Sequence, residues 1–521
     1  MRRLLLFALT GLLACDAPPS PAADPVVTEV RKVEITPRNT SITKENAYNN
    51  LFLDSARIAK FISEQHLDPE TTDRMWSFYN ARNYEYAWLD SLGAVEQVAA
   101  FRSLYTYSKD SSSNKTLDRQ IDALVDDDDM QVTENNQAMM NTELQLTLRL
   151  INHFKVTNGS IEQLEHMIPA QKYPVMVLAD SMLLVSNEEF PAVAPMKEPL
   201  RAYMQYVKNG GWKTVSSVKS LRKGQSSPEI PAIKNRLQMT GELQQNDSTA
   251  LFNEELENAV NNFRETHGMS QNGVINDSVI RQMNVPADKR LAQILVNMER
   301  MKWMPPTPEG RMILVNIPAF TLHASEGSRK LFDMPIVVGK EGHSTTMFAG
   351  FLNQVVFSPY WNIPRSIVRK EILPAMSRNH GYLASRNMEI TGHAGGLPVI
   401  RQRPGARNAL GRVKFLFPNS YNIYFHDTPD KSLFQRDNRA YSHGCIRLKD
   451  PVDMAKYVLD DAPEWTDDKI DAAMKSGRQR FVPVKHPVPV IITYYTAWMQ
   501  DGALHFADDV YDHDTRFLSK L

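Results

Sequence analysis

The chain has 521 residues, which is enough for about two to four domains. Hydrophobic residues make up 42% of it and charged residues 23%, as in ordinary globular proteins, so most of the chain is expected to bury a core. The formal net charge of -1 argues against a broad basic surface, and we therefore expect no nucleic-acid partner. A neutral polymer or a zwitterionic peptide remains compatible as a substrate.

The first fifteen residues resemble the export signal of a bacterial lipoprotein. Two arginines precede the eleven-residue apolar run Leu4–Ala14. That run is too short for a permanent membrane helix, which needs ~20 apolar residues, but it suits a signal peptide over 1–15. It ends in a lipobox-like Leu-Leu-Ala-Cys, which predicts lipidation of Cys15. We therefore expect a periplasmic protein that a lipid anchors to the inner or outer membrane; the alternative is an ordinary signal peptide with a chance cysteine.

The residues that follow divide into three further segments. Residues 16–50 are rich in Pro, Ser, Thr and Asn, which predicts a flexible tether. The apolar pattern predicts a helical scaffold domain over 51–225. Residues 226–290 predict three short helices around an Asn-Gly turn. Their segment AVNNFRETHGMSQNGVINDSVIRQMN resembles the peptidoglycan-binding module of bacterial wall enzymes.

The last predicted domain covers residues 291–515 and is rich in strands. Short β-branched and aromatic runs with a period of two are separated there by Gly, Pro or Asn. Residues 365–400 interrupt them with a segment that looks helical and then loop-like, which predicts a lid insertion. The expected architecture is multidomain α+β, with helical domains before a mainly-β catalytic domain.

Cys445 is the residue whose chemistry needs an explanation. The only other cysteine is Cys15, so lipidation there would leave Cys445 without a disulfide partner, which is unusual in an exported protein. A zinc site made of His426, His443 and Cys445 would lack the fourth ligand that structural zinc requires. A role as a small buried hydrophobe is hard to combine with the neighbouring His443 and Arg447, whose polar atoms would need partners. We expect no metal and no cofactor.

A nucleophilic role for Cys445 fits these residues best. A thiol is mostly protonated at neutral pH, and a nearby histidine can remove its proton. His426 ends the predicted strand NIYFHD, from which its side chain can project into a cleft. Gly444 permits close approach of substrate, and the backbone N–H groups of Gly444 and Cys445 could donate to a developing oxyanion.

The spacing of these residues resembles a known signature. His426, fifteen further residues and then Ser-His-Gly-Cys-Ile-Arg over 442–447 are similar to the motif of the L,D-transpeptidases of the YkuD type. Other segments resemble the long, YcbB-like branch of that family; these are NGGWKTVSSVKSLRKG, RLQMTGEL, NMERMKWMP, IVVGK, SPYWNIP, RQRPGARNALGRVKFLFPN and IYFHDTPDKSLF. The resemblance covers roughly residues 50 to 515.

The resemblance implies acyl transfer on peptidoglycan stem peptides. Cys445 would attack the carbonyl of the third stem residue and expel the terminal D-alanine, and an amine of a neighbouring stem would resolve the thioester into a 3-3 cross-link. His426 would serve as general base and then general acid. The family also implies that the backbone carbonyl of the residue after that histidine orients the imidazole, so we assign no triad role to the side chain of Asp427.

Several other residues receive roles on the same basis. Ser442 and His443 are expected to line the site. Three side chains are expected to contact substrate, and they are Arg447, Tyr424 and Trp361. Tyr424 lies two residues before His426 and therefore on the same face of the strand, from which it could assist the oxyanion.

Functions of two other classes remain open at this level. A carboxypeptidase or endopeptidase on the same fold would use water in place of the amine, and the motif alone does not separate the two outcomes. A non-catalytic wall-binding scaffold would be expected to lack the nucleophile or the base, and both are present. The expected partners are a tetrapeptide donor, an amine acceptor and a membrane; other enzymes of wall synthesis are candidate partners.

Overall fold

The computed structural model describes most of the chain, namely residues 34–108, 115–126, 136–156, 164 and 167–520. The predicted signal peptide, Cys15 and the first part of the predicted tether lie outside the described residues. The last part of that tether is packed, since Ile42 and Tyr48 are buried and the Tyr48 ring lies 6.1 Å from the Phe517 ring. No described helix combines the length and the apolar character that a membrane crossing requires.

The N-terminal region is helical, as the periodicity predicts. Its elements are α1 (Ser55–Glu64), α2 (Pro69–Ala81), β1 (Leu89–Asp90), β2 (Gly93–Ala94), α3 (Glu96–Tyr107), α4 (Lys115–Asp126), α5 (Gln137–Val156), α6 (Val175–Leu184), a 3₁₀ turn (Ala194–Met196) and α7 (Lys197–Lys208). Local sequence signals start these helices: Asp68, for example, caps α2 through its carboxylate and is followed by a proline at the first helical position.

Three short helices form the next unit, α8 (Ile230–Met239), α9 (Glu254–Thr266) and α10 (Asp277–Met283). Asn253 and Asn276 cap the second and third of them with their side-chain oxygens. Their common core also contains Val215 and Val218. The unit therefore begins before the predicted boundary at residue 226.

The helix that follows belongs to the helical region and not to the catalytic domain. Helix α11 (Ala287–Met301) buries Leu291, Leu295 and Met298 in the core of the N-terminal helices. The sequence boundary at 291 cuts this helix, because an amphipathic stripe indicates a buried face without indicating which domain covers it. The C-terminal hairpin, β15 (Ala497–Gln500) and β16 (Ala503–Phe506), packs on the same region. Helix α17 (His513–Leu518) contacts α11.

The catalytic domain is built on a nine-stranded sheet. Its elements are β3 (Arg311–Asn316), β4 (Thr321–Glu326), β5 (Arg329–Gly339), β6 (Phe348–Phe357), β10 (Val413–Leu416), β11 (Phe425–His426), a 3₁₀ turn (Lys431–Gln435), β12 (Ala440–Ser442), β13 (Ile446–Leu448), α15 (Pro451–Val458), α16 (Asp467–Lys475) and β14 (Arg480–Thr493). The strand order is β12-β5-β13-β11-β10-β6-β14-β3-β4, and β4 also pairs with β5, so that the sheet closes on itself. Helices α15 and α16 pack on its apolar face.

The segment predicted as a lid, 365–400, belongs to a slightly larger subdomain, 361–402, with its own core. It contains β7 (Trp361–Asn362), α12 (Arg365–Ile367), a π-helical turn (Val368–Ile372), α13 (Leu373–Arg378), α14 (Tyr382–Ser385), β8 (Met388–Ala394) and β9 (Leu397–Gln402). Strands β7, β9 and β8 make a three-stranded sheet. The expectation of a loop over its second half is wrong: Gly395 and Gly396, both with positive φ, form a two-residue turn that joins two paired strands. The predicted multidomain α+β class is confirmed.

Candidate active site

Two short parallel strands bring the predicted nucleophile and base to one face of the sheet. In β11 and β13, Phe425 pairs with Ile446 and His426 pairs with Arg447. Phe425 and Ile446 lie in the domain core. Because side chains alternate along a strand, His426, Arg447 and the preceding Cys445 face the opposite side. His426 and Cys445 are nineteen positions apart along the chain, but the pairing of β11 with β13 brings them close together.

The imidazole of His426 is held in one orientation. Its Nδ1 lies 2.5 Å from the backbone carbonyl oxygen of Asp427, and since a carbonyl only accepts, Nδ1 carries the proton. Nε2 is then the unprotonated nitrogen that can accept a proton from substrate or thiol. Burial, followed by the charge of Arg447, lowers the pKa of His426 to about 3, so the ring is neutral at physiological pH.

The carboxylate of Asp427 is used in the surrounding loops. It accepts hydrogen bonds from the backbone N–H groups of Arg412, at 2.9 Å, and Thr428, at 2.7 Å. Lys431 donates to the same carboxylate at 2.8 Å. These contacts tie together the segments on both sides of His426, and the orientation of the imidazole comes from the Asp427 carbonyl, as the resemblance implied.

Because Gly411 has no side chain, the side chain of Asp427 can lie directly against it. Gly411 has a φ of +61°, and an added Cβ would clash with the Asp427 carboxylate. We expect Gly411→Ala to lower the free energy of unfolding through backbone strain, by about 1–2 kcal/mol, plus about 1–3 kcal/mol from the clash. Denaturant unfolding measures this loss. Gly477→Ala is the matched control, because Gly477 has a φ of +66° with open space around it; equal losses in the two variants would contradict the role of the Asp427 contact.

The thiol of Cys445 is partly covered by residues that immediately precede β11. Its Sγ lies 3.6 Å from the carbonyl oxygen of Asn422, and the backbone and hydroxyl of Tyr424 also hydrogen bond to it. Burial raises the pKa of the Cys445 thiol, against the smaller lowering effects of Tyr424, Lys414 and Arg447. The resting pair is therefore a neutral thiol beside a neutral imidazole.

This protonation state predicts how Cys445 reacts with a simple electrophile. The rate of alkylation by iodoacetamide is expected to rise continuously with pH and to continue rising above about pH 9, the region in which an unassisted thiol ionises. The His426 pKa of about 3 excludes an imidazolium that would hold a thiolate at neutral pH. Intact-mass spectrometry over a pH series measures the rate. A plateau between about pH 5 and pH 8 would show a thiolate–imidazolium pair and contradict this assignment.

The loop before Cys445 is closed by its own hydrogen bonds. Gly444 adopts a φ of +106°, a conformation that favours glycine, and its backbone N–H donates to the Ser442 hydroxyl at 3.1 Å. Ser442 in turn donates to the Cys445 carbonyl at 2.5 Å, and Thr345 donates to the Gly444 carbonyl at 2.8 Å. The predicted oxyanion role of the Gly444 amide is therefore not available in this conformation, because Ser442 already accepts its hydrogen.

His443 points from the catalytic loop to the lid subdomain. Its Nε2 lies 2.9 Å from a carboxylate oxygen of Glu371, which belongs to the π-helical turn of the lid. Its ring centroid lies 5.1 Å from that of His343. Burial, and then the charge of His443, lowers the pKa of His343. His443 thus connects the lid to the loop that carries Cys445.

Of the three residues predicted to contact substrate, Tyr424 and Arg447 lie close to the Cys445 thiol, and Trp361 lies in the lid subdomain. Tyr424 and Arg447 are on the face of Cys445, and the Tyr424 ring centroid is 5.8 Å from that of His426. Burial raises the pKa of Tyr424, so its hydroxyl remains a hydrogen-bond donor. Trp361 instead packs against the small core of the lid, with Ile363 and Ile400.

The structure adds residues that the sequence analysis missed. Lys414 pairs in register with His426 on the neighbouring strand β10, and Glu371 reaches the site from the lid. Lys414 could have been found from the strand RVKFLF, where apolar residues alternate with it. Glu371 has no comparable signal. Within the described part of the chain, no three His, Cys, Asp or Glu side chains are grouped so as to hold a metal ion.

Comparisons with known proteins agree with the class that this fold and site define. Residues 310–490 match the family model of the YkuD L,D-transpeptidase catalytic domain, and residues 73–175 match a model described as a scaffold domain. A candidate L,D-transpeptidase of Haemophilus influenzae is 28% identical over 250 residues, covering 44% of this chain and 50% of that protein. The chain thus spans about half the length of this relative. Residues 310–490 form a domain of the YkuD L,D-transpeptidase type.

The solved structures that match this chain have low sequence identities and low TM-scores. The L,D-transpeptidase from Mycobacterium smegmatis is 16% identical, covers 35% of this chain and 58% of its own, and has a TM-score of 0.20. The L,D-transpeptidase from Stackebrandtia nassauensis is 12% identical, covers 56% and 98%, and has a TM-score of 0.24. These values carry no argument of their own, and the assignment rests on the family match and the site.

Proposed function

We propose that this protein is a murein L,D-transpeptidase that forms 3-3 cross-links between peptidoglycan stem peptides through a thioester on Cys445. The observation that carries the proposal is the orientation of His426: its Nδ1–H is bound by the Asp427 carbonyl, which leaves Nε2 as a base on the sheet face that also carries Cys445. This geometry supports acyl transfer by a histidine-activated thiol.

The first half-reaction follows from these positions. The thiol hydrogen, which lies near the Asn422 carbonyl in this structure, turns to Nε2 of His426, and the sulfur attacks the carbonyl carbon of the third stem residue. We assign stabilisation of the oxyanion to the Cys445 backbone N–H and the Tyr424 hydroxyl, since the Gly444 N–H is already donated to Ser442. The tetrahedral intermediate then collapses to the thioester as His426 protonates the leaving amine.

The second half-reaction decides between transfer and hydrolysis. An acceptor amine attacks the thioester carbonyl, loses its proton to His426 and regenerates the thiol. Water in place of the amine would give a carboxypeptidase. The contact between His443 and Glu371 places the lid beside the loop that carries Cys445, from where it could limit the access of water to the thioester. This contact favours transfer.

Product analysis tests the proposal directly. The chain from residue 16 onward is incubated with disaccharide-tetrapeptides, and the products are identified by mass spectrometry. Transfer predicts release of D-alanine together with a 3-3 linked dimer, whereas tripeptide alone would indicate the hydrolase. Because Cys445 is the only cysteine after residue 15, the matched control is the same chain alkylated by iodoacetamide. Equal turnover in the alkylated chain would contradict both activities.

The location of the protein is part of the same proposal. A lipid on Cys15, with the intervening residues as a tether, would hold the catalytic domain in the periplasm beside its wall substrate. Metabolic labelling with a fatty-acid analogue tests this, and Cys15→Ser is expected to abolish the label and release the protein from the membrane fraction. Persistent labelling of that variant would contradict lipidation at Cys15.

A further inference from the structure

His426 lies on a strand between two strands that each carry a cationic side chain. Lys414 on β10 pairs with His426 on β11, and His426 pairs with Arg447 on β13. Val413 and Phe415, which flank Lys414, are buried in the core of the domain. Because side chains alternate along a strand, Lys414 projects to the face of the sheet that carries Cys445.

Lys414 differs from Arg447 in having no local counter-ion. The charge of Asp430 acts on Arg447, whereas the ionisable groups found to interact with the Lys414 ammonium among the described residues are Cys445 and His426, neither of which is a carboxylate. That ammonium is half-buried and lies 5.6 Å from the centroid of the Tyr424 ring. Burial lowers the pKa of Lys414, because partial removal from water disfavours the charged form of the amine. A half-buried cation beside the candidate base and nucleophile is suited to an anionic ligand.

The proposed reaction brings such an anion to this place. The amine expelled from the donor must lie beside Nε2 of His426 to receive its proton. In an amino acid the α-carboxylate is attached through one carbon, so its oxygens lie roughly 3 Å from that nitrogen. Directly paired residues of antiparallel strands have Cβ atoms about 5 Å apart. The side chain of Lys414 therefore reaches the carboxylate of a leaving residue whose amine is at His426.

We propose that Lys414 binds the α-carboxylate of the residue that the donor stem loses, and that it makes the enzyme selective for donors with a free carboxylate one residue beyond the scissile bond. The inference rests on the proposed function. No additional reactant is needed: the carbon–nitrogen bond breaks, the proton passes from His426 to the nitrogen, and the free amino acid leaves with its carboxylate. Donors that end in a carboxamide, or one residue further on, do not place a carboxylate at Lys414.

The test compares two donors that differ only in this group. Disaccharide-tetrapeptide with a free terminal carboxylate and the same donor with a terminal carboxamide are assayed for kcat/KM of acylation. In the unmodified protein we expect the carboxamide to react roughly 10- to 100-fold more slowly, the range for a lost charged hydrogen bond. In Lys414→Met the free acid is expected to fall to the level of the carboxamide, while the carboxamide itself changes by less than about threefold.

Three controls separate recognition from other roles of Lys414. Lys414→Arg keeps a cation and is expected to keep the selectivity, and its thermal unfolding is compared with that of Lys414→Met. Lys475→Met removes a lysine from the exposed surface of α16 and is expected to change neither donor. Lys414 also lowers the pKa of the Cys445 thiol, so the pH profile of iodoacetamide alkylation is expected to move to higher pH in Lys414→Met. The two donors are therefore compared at one pH, where this effect on the thiol is the same for both.

The outcomes that overturn the inference are distinct from failure of the proposed function. Equal losses for both donors in Lys414→Met would mean that the lysine acts on the thiol or on the fold. Equal kcat/KM for both donors in the unmodified protein would mean that the carboxylate is not recognised. An unmodified protein that reacts with iodoacetamide but with neither donor would contradict the proposed function itself, and the inference with it.

Discussion

Replacement of Cys445 by alanine is expected to abolish acyl-enzyme formation and to lower D-alanine release by at least about 10⁴-fold. Alanine has no atom that can form the thioester. The hydroxyl of Ser442, three residues earlier, is donated to the Cys445 carbonyl and accepts from the Gly444 N–H. These two bonds keep Ser442 in a structural position, so it is not expected to replace the thiol.

Intact-mass spectrometry of the protein with its donor measures this effect. The unmodified chain gains the mass of the stem minus D-alanine, and Cys445→Ala gains none. Cys445→Ser is the matched variant: it preserves size and a hydroxyl, yet is expected to be nearly as inactive, because a hydroxyl is far less acidic than a thiol and its base is a neutral imidazole with a pKa of about 3. D-Alanine release by Cys445→Ala above about one hundredth of the normal rate would exclude Cys445 as the nucleophile.

Replacement of His426 by asparagine is expected to reduce acylation by about 10²- to 10⁴-fold. An asparagine amide can take the position of Nδ1 and keep the hydrogen bond to the Asp427 carbonyl, whose present length is 2.5 Å. It provides no nitrogen at the position of Nε2. The variant therefore removes proton transfer while it retains the contact that orients the side chain.

The pH dependence of His426→Asn distinguishes loss of a base from loss of the fold. Alkylation by iodoacetamide at about pH 10, where the thiol ionises without help, is expected to match the unmodified protein. Acylation by the peptide donor is expected to stay low at the same pH, because the leaving amine still lacks its proton donor. Full recovery of peptide acylation at high pH would show that His426 acts only on the thiol and not on the leaving group.

Much of the site could be predicted from residues near each other along the chain. The spacing between His426 and Cys445, the strand that ends at His426 and the glycine before Cys445 are local features, and each indicates a chemical role. The helices of the N-terminal region and the period-two strands were likewise visible, because capping residues and side-chain alternation act over a few positions. The sequence alone therefore determined the class of domain and identified the candidate nucleophile and base.

The tertiary structure decided how those residues are connected. Three contacts depend on loop geometry that no sequence periodicity predicts. The Gly444 N–H donates to Ser442, the Arg412 N–H donates to the Asp427 carboxylate, and His443 contacts Glu371. The same holds for helix α11, whose apolar stripe shows that it is buried but not that it belongs to the N-terminal core. Local patterns identify which faces are covered, and only the packed chain determines what covers them.

Lys414 shows this division most clearly. In the sequence RVKFLF, Lys414 is a polar residue between apolar ones, which indicates only that its side chain faces solvent. Register across β10, β11 and β13 places it beside His426, opposite Arg447 and near the thiol of Cys445. The sequence by itself identified the candidate nucleophile and its candidate base. Only the tertiary structure decided which charges surround them, because electrostatic neighbours are set by distance in space and not along the chain.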